Sequence, residues 1–157
     1  MSSTLTNKEL AIKCITSINK EAKFENHLGV EIIDLDEGYS KLAMRVQDFM
    51  LNGHGTCQGG ATFAFADTAF AYACNGRNVP TVGYSCDITY IKPAFMNDIL
   101  TATGTEVDLS KRNGIYNVEV RNQKNDLIAL FVGKSRAVNG QIIDESELWV
   151  KINFVIK

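Results

Sequence analysis

Between Asp48 and Arg77 the chain has one formally charged residue, Asp67, set among alanine, phenylalanine, threonine, tyrosine and cysteine. Burying an ionised carboxylate without partners costs several kcal/mol, so one is kept either within a hydrogen-bond network or for chemistry. The segment upstream, Asn52-Gly53-His54-Gly55-Thr56-Cys57-Gln58-Gly59-Gly60, favours chemistry. Gly55, Gly59 and Gly60 ahead of a helix leave backbone N–H groups unblocked at the positive end of its dipole, where an anion or a developing oxyanion binds. A carboxylate in a desolvated site has a raised pKa and can bring in water or attack a carbonyl itself. Together these features meet the requirements of thioester hydrolysis.

Other chemistries fit less well. No Gly-Lys-Ser or Gly-Lys-Thr follows the glycines, and the spacing and βαβ context of a dinucleotide fingerprint are missing. Cys57 at a helix N-terminus, with His54 three residues before it, is a second candidate nucleophile, but no third group to orient the pair is evident. His54 and Cys57 also fall short of the four ligands of a structural zinc site, so no metal is expected. Cys14, Cys57, Cys74 and Cys86 show no CxxC pair and no regular spacing, and are expected as free thiols.

Asp67 and the glycines need a helix to position them. Ala61 to Cys74 suits one that is apolar nearly all round and therefore buried. Near the start of the chain, Thr6 and Glu9 form a capping box for a short helix whose apolar stripe is Leu10, Cys14 and Ile18. Val30 to Leu35, a turn at Asp36-Glu37-Gly38, and alternating Leu42, Met44 and Val46 make a hairpin. Four more strands are expected at Thr81 to Ile91, Ile99 to Leu109, Ile115 to Asn122 and Leu127 to Val138. Turn signals at Lys92-Pro93, Asn113-Gly114 and Asn125-Asp126 separate them. The order of helix, two strands, long helix and four strands implies an α+β fold, with a curved antiparallel sheet wrapped around one central helix. Glu145 to Lys157 alternates like an added edge strand and equally suits a tail, so no role is assigned to it.

At 157 residues and 45% hydrophobic content, the chain fits one core, read as one domain over residues 1–144 with residues 145–157 as an extension. A net charge of -2 from 16 basic and 18 acidic residues, spread without runs, leaves no footprint for nucleic acid or anionic lipid. The longest apolar run is too short for a membrane span and holds Asp67, and the first residues lack a secretory signal pattern. A cytoplasmic protein is the expectation.

NGHGTCQGG at Asn52 to Gly60, followed by ADTAFAYACN at Ala66 to Asn75, resembles the signature of the hot-dog-fold phenylacetyl-CoA thioesterases of the PaaI type. LGVEIIDLDEGYSKLAMRV, KPAF, DILTATG and IALFVGKS extend the resemblance over roughly residues 10 to 143. It implies that the Gly59 N–H polarises the thioester carbonyl while Asp67 activates water or attacks directly. Asn52 matches an amide that helps position the reacting groups, and Ser85 a hydroxyl found near the carboxylate. Gly60, Lys111, Arg112, Lys134 and Arg136 are candidate substrate contacts, the four basic residues toward coenzyme A phosphates. Gln58 stands where the family usually has histidine, so a group that titrates near neutrality is replaced by an amide. The implied substrate is phenylacetyl- or hydroxyphenylacetyl-CoA, with no cofactor beyond the coenzyme A of the substrate. Phe63, Phe65, Phe70 and Tyr72 either line an aryl pocket or belong to the core. A non-catalytic acyl-CoA binding protein is the alternative, while a hot-dog dehydratase lacks its usual histidine-carboxylate pair.

Gly59 and Asp67, eight residues apart, lie about 12 Å apart along one helix. One subunit does not readily bring both to one carbonyl. Two antiparallel copies of the helix across a two-fold axis would do so, giving a homodimer with two shared sites, and the resemblance adds pairing into a tetramer.

Overall fold

The computed structural model describes residues 5–144, together with 146 and 148. Thr6 opens α1 (Asn7–Asn19) through the expected capping box. Its hydroxyl accepts from the Glu9 amide at 3.2 Å and the Glu9 carboxylate accepts from the Thr6 amide at 2.8 Å. A short second helix absent from the sequence expectation, α2 (Lys23–Leu28), ends at Gly29 in the left-handed region. The hairpin of β1 (Glu31–Asp36) and β2 (Tyr39–Arg45) turns at Glu37-Gly38 as expected. The glycine-rich loop then enters α3 (Gly59–Cys74), which starts two residues before the alanine-aromatic run. β3 (Thr81–Tyr90), β4 (Ile99–Ser110), β5 (Asn113–Arg121) and β6 (Leu127–Ala137) complete the order. Glu145 to Lys157, expected as strand or tail, lies outside the described residues apart from Ser146 and Leu148.

Every strand pairing is antiparallel, in the order β1-β2-β4-β5-β6-β3. β3 follows α3 directly yet lies at the far edge, bonded to β6 along one side. One expected turn is displaced. Asn113 already pairs with Ser110, so Asn113 and Gly114 head β5 and Lys111, at φ 56°, makes the turn with Arg112. The Arg112 guanidinium ties this turn to β6, donating to the Ala137 carbonyl through Nε at 3.1 Å and Nη2 at 2.9 Å.

Period-two alternation sends Leu42, Met44, Leu100, Ala102, Val118, Val120 and Phe131 to one face of the sheet, where all are fully buried. α3 packs across that face, and burying each large side chain stabilises the fold by about 1.5–3 kcal/mol. The alanines of α3 let the sheet come close: the Ser40 hydroxyl donates to the Ala69 carbonyl at 2.6 Å. Phe70 lies against Gly133, where an added Cβ would stand 2.6 Å from its ring. Phe65 and Tyr72 belong to this core, and the Tyr72 hydroxyl donates to Asn19 Oδ1 at 2.7 Å. The sheet wrapped on one long helix is the hot-dog arrangement. Among the described residues, no helix is long and apolar enough to cross a membrane.

Candidate active site

Asp67 sits midway along α3 and faces β3 across a cleft of about 360 Å³. Phe63 and Phe70 supply its apolar wall, and Gly83, Ser85 and Cys86 its strand side. The side-chain contact of the carboxylate among the described residues is the Cys86 thiol, which donates to Oδ1 at 3.7 Å. Burial pushes the Asp67 carboxyl above the ordinary carboxylate range. The Cys86 thiol offsets part of that shift, and Glu25 of α2 adds to it. The thiol is itself pushed up to about 11, by burial and by the neighbouring carboxylate, so Cys86 stays protonated and remains a donor.

A bulge decides which side chain meets Asp67. Gly83 pairs with Ser135 and Ser85 with Lys134, leaving Tyr84 as an extra residue between them. Unbroken alternation from Gly83 would carry Ser85 toward the helix; the extra residue gives that place to Cys86. Ser85 still lines the cleft but makes no hydrogen bond to Asp67.

The opposite end of α3 has a cleft of its own, about 410 Å³, with Cys57, Gly59, Thr62 and Tyr90 among its walls. The Tyr90 hydroxyl donates to the Gly59 carbonyl at 2.8 Å, and a Cβ at Gly59 would lie 3.0 Å from the Tyr90 ring, so glycine permits this approach. The Gly59 and Gly60 amides donate to no described residue, and Gln58, the exposed N-cap, makes no side-chain capping bond. The helix therefore presents two free N–H groups at its positive end. Asn52 shapes the preceding loop. Its Oδ1 accepts from the amides of His54 at 2.9 Å and Thr56 at 3.2 Å, while Nδ2 donates to the Thr56 hydroxyl at 2.9 Å.

Within one chain, the expected residues thus form two groups. Asn52, Gln58, Gly59 and Gly60 gather at the start of α3, and Asp67 and Ser85 gather at its middle. The two clefts share no lining residue. Lys134 and Arg136 project from β6 on the face away from α3, Arg136 over the Tyr84 ring at 5.5 Å with its Nε bonded to Asn113. Lys111 and Arg112 occupy the β4–β5 turn. Cys57 has the opposite of an activated thiol: burial pushes it up, and only the Thr62 hydroxyl, at 3.6 Å, pulls against that. Among the described residues, no hydrogen bond joins the His54 side chain to the Cys57 thiol.

The chain, with its underbonded carboxylate on the buried helix and unblocked amides at that helix's start, is similar to known thioesterases. Residues 54–129 match the family model described as Thioesterase superfamily. The chain is 43% identical over 133 residues to the acyl-coenzyme A thioesterase PaaI of Escherichia coli (strain K12), a match spanning 82% of this chain and 95% of that one. A solved structure of the E. coli PaaI protein from the phenylacetic acid degradation operon matches with a TM-score of 0.85 and 38% identity, over 87% of this chain and 99% of that chain. A variant of the phenylacetic acid degradation protein PaaI from Thermus thermophilus matches with a TM-score of 0.71 and 37% identity, over 73% and 98% of the two chains. The chain belongs to the thioesterase superfamily. It is an enzyme, a thioester hydrolase of the hot-dog fold.

Proposed function

We propose that this thioesterase hydrolyses a small aryl-acetyl-coenzyme A thioester to the free acid and coenzyme A, with Asp67 as the essential carboxylate. The observation that carries this reading is the half-buried Asp67, which has a single weak thiol donor and faces a cleft walled by Phe63 and Phe70. Action on acyl-coenzyme A rests on the 43% identical E. coli relative, and the aryl-acetyl group on that relative's phenylacetic acid degradation operon and on the two rings.

The carbonyl oxygen accepts from the Gly59 N–H, with Gly60 adjacent, so negative charge developing on it meets donors already oriented. Asp67 takes a proton from water as the water attacks the carbonyl carbon, or attacks that carbon itself to give a mixed anhydride that water hydrolyses after the thiol has left, releasing the acid and restoring the carboxylate. In both routes the C–S bond breaks and the coenzyme A thiolate leaves. Asn52 holds the loop that sets the Gly59 amide, Gln58 flanks the carbonyl as a non-titrating donor, and Ser85 lines the cleft beside Asp67. Because the two groups lie about 12 Å apart along α3, the reading puts Gly59 and Asp67 of one site on different subunits. The free edge of β3 supports such a dimer: it presents unpaired backbone groups over ten residues, with Val82, Tyr84 and Tyr90 exposed. Two such dimers pairing again would form a tetramer. Lys111, Arg112, Lys134 and Arg136 lie on the outer surface, where phosphates of a coenzyme A reaching across subunits would meet them.

Release of free thiol from a panel of acyl-coenzyme A esters tests the substrate. Phenylacetyl thioesters are expected to give a higher kcat/KM than acetyl or straight-chain acyl thioesters. A preference for long straight chains would overturn the aryl-acetyl reading.

A further inference from the structure

The Gly59 and Gly60 amides both stand free at the start of α3, but the peptides that carry them are held in different ways. The carbonyl of the Gln58–Gly59 peptide accepts from the Ala61 amide at 2.9 Å and the Thr62 amide at 3.2 Å, so the backbone itself orients the Gly59 N–H. The next peptide joins two glycines and has no side chain of its own to steady it. Its oxygen is the Gly59 carbonyl, to which the Tyr90 hydroxyl donates at 2.8 Å. Apart from its chain neighbours, the nearest side chain that an added Cβ at Gly60 would meet among the described residues is that of Gln58, at 4.0 Å, so the first turn is open to a ligand on that side.

A peptide is one planar, conjugated unit. A donor on its oxygen draws electron density from the nitrogen, which makes the N–H at the other end a stronger donor, and it also fixes the direction in which that N–H points. The Tyr90 hydroxyl has a single proton, committed to the Gly59 carbonyl, so it acts on a substrate oxygen through this peptide and not directly. Burial, followed by the neighbouring Cys57 thiol, pushes the hydroxyl above the ordinary tyrosine range, and it stays a donor. The sheet fixes its place: Tyr90 pairs with Ala129 at the end of β3, and the Ile91 amide donates to the Ile128 carbonyl at 2.8 Å. Tyr90 is exposed on the free edge of β3, so the dimer proposed above would cover it and strengthen its bond by excluding water.

We propose that Tyr90 is a positioning residue for the reaction: its hydroxyl aligns and polarises the Gly59–Gly60 peptide, making the Gly60 N–H a second donor to the thioester oxygen as charge develops there. The inference rests on the oxyanion role given above to the first turn of α3 and adds the side chain that tunes it. Donors aimed at developing charge favour the transition state over the bound substrate, so the effect falls on kcat and not on KM.

The test compares the native enzyme, Tyr90→Phe, protein carrying 3-fluorotyrosine at position 90, and Asp67→Asn, each with the acyl-coenzyme A ester that the native enzyme hydrolyses fastest. Tyr90→Phe keeps the ring against Gly59 and removes the hydroxyl alone. Its kcat is expected to fall roughly three- to tenfold, with KM and melting temperature unchanged. The 3-fluorotyrosine protein, whose phenol is more acidic and donates more strongly, is expected to exceed the native kcat at neutral pH, an order that a hydroxyl serving only packing would not produce. Native kcat in Tyr90→Phe, a loss confined to KM, or a 3-fluorotyrosine kcat at or below native would overturn this inference, and an inactive Asp67→Asn beside it would leave the proposed mechanism standing. Native turnover in both Tyr90→Phe and Asp67→Asn would overturn both.

Discussion

Glu106, on β4, accepts from Arg77 Nη1 and Nη2 at 2.6 and 3.0 Å and from the Tyr116 hydroxyl at 2.7 Å, whereas Asp67, on α3, has a thiol at 3.7 Å. Both carboxylates lie where helix and sheet meet. Burial would raise the Glu106 carboxyl, but the hydrogen bonds from Arg77 and Tyr116 and the Arg77 charge outweigh it and hold it below the usual range. Burial wins at Asp67, whose carboxyl stands above that range. On the mechanism proposed above, the difference separates a carboxylate that serves the fold from one that serves the reaction. Glu106 has committed its lone pairs to fixed donors, while Asp67 has one weak thiol donor and, on the proposed mechanism, keeps its lone pairs for a proton or a carbonyl carbon.

If Asp67 is left underbonded because its reaction partner lies on another chain, mixing two dead parents breaks or sharpens the contrast most forcefully. Asp67→Asn and Asn52→Ala, each inactive alone, are co-expressed and the mixed dimer purified. One site then carries both lesions and the other neither, so about half the native activity is expected to return by symmetry. A mixed dimer as inactive as its parents would show that each chain builds its own site.

At the other carboxylate, Arg77→Met strands Glu106 with Tyr116 as its remaining donor. A loss of about 2 kcal/mol in denaturant unfolding is expected, below the cost at a fully buried pair because both groups keep some solvent. A loss no larger than that of an ordinary surface substitution would remove Glu106 from its structural role.

The smallest effects concern tuning. Cys86→Ala deletes the donor that lowers the Asp67 carboxyl, and Glu25→Gln deletes a charge that raises it. The acidic limb of the kcat/KM profile, where Asp67 must lose its proton, is therefore expected to move to higher pH in Cys86→Ala and to lower pH in Glu25→Gln. Movement of both in the same direction would contradict the assignment of that limb to Asp67.

The isolation of Asp67 and the glycines before α3 were legible in the sequence because burial and backbone access follow from residue type. The strands were legible because Leu42, Met44, Leu100, Ala102, Val118 and Val120 alternate cleanly. Cys86 was not, since the bulge at Tyr84 shifts the alternation of β3 by one residue and no local signal announces it. Asn113-Gly114 carries a strong turn signal, yet Asn113 is drawn into the ladder opposite Ser110 and the turn falls on Lys111 and Arg112, anchored by the Ala137 carbonyl. α2 was missed because its N-cap, Ala22, has no capping side chain, so only Gly29 marked its end.

Asp67→Asn, measured for turnover and for melting temperature across pH, tests the role of this carboxylate most directly. The substitution is nearly isosteric, so the fold is expected to persist while kcat falls by about two orders of magnitude or more. Because the folded-state pKa of Asp67 is raised, its ionised form penalises the native state. That penalty is full above the folded pKa, shrinks as pH falls through it, and is gone below the ordinary aspartate value. Asp67→Asn should accordingly melt higher than native at neutral pH, with the gain fading on acidification. A folded Asp67→Asn variant with native turnover, or one that melts lower than native at neutral pH, would show that Asp67 serves the fold and that the chemistry lies elsewhere.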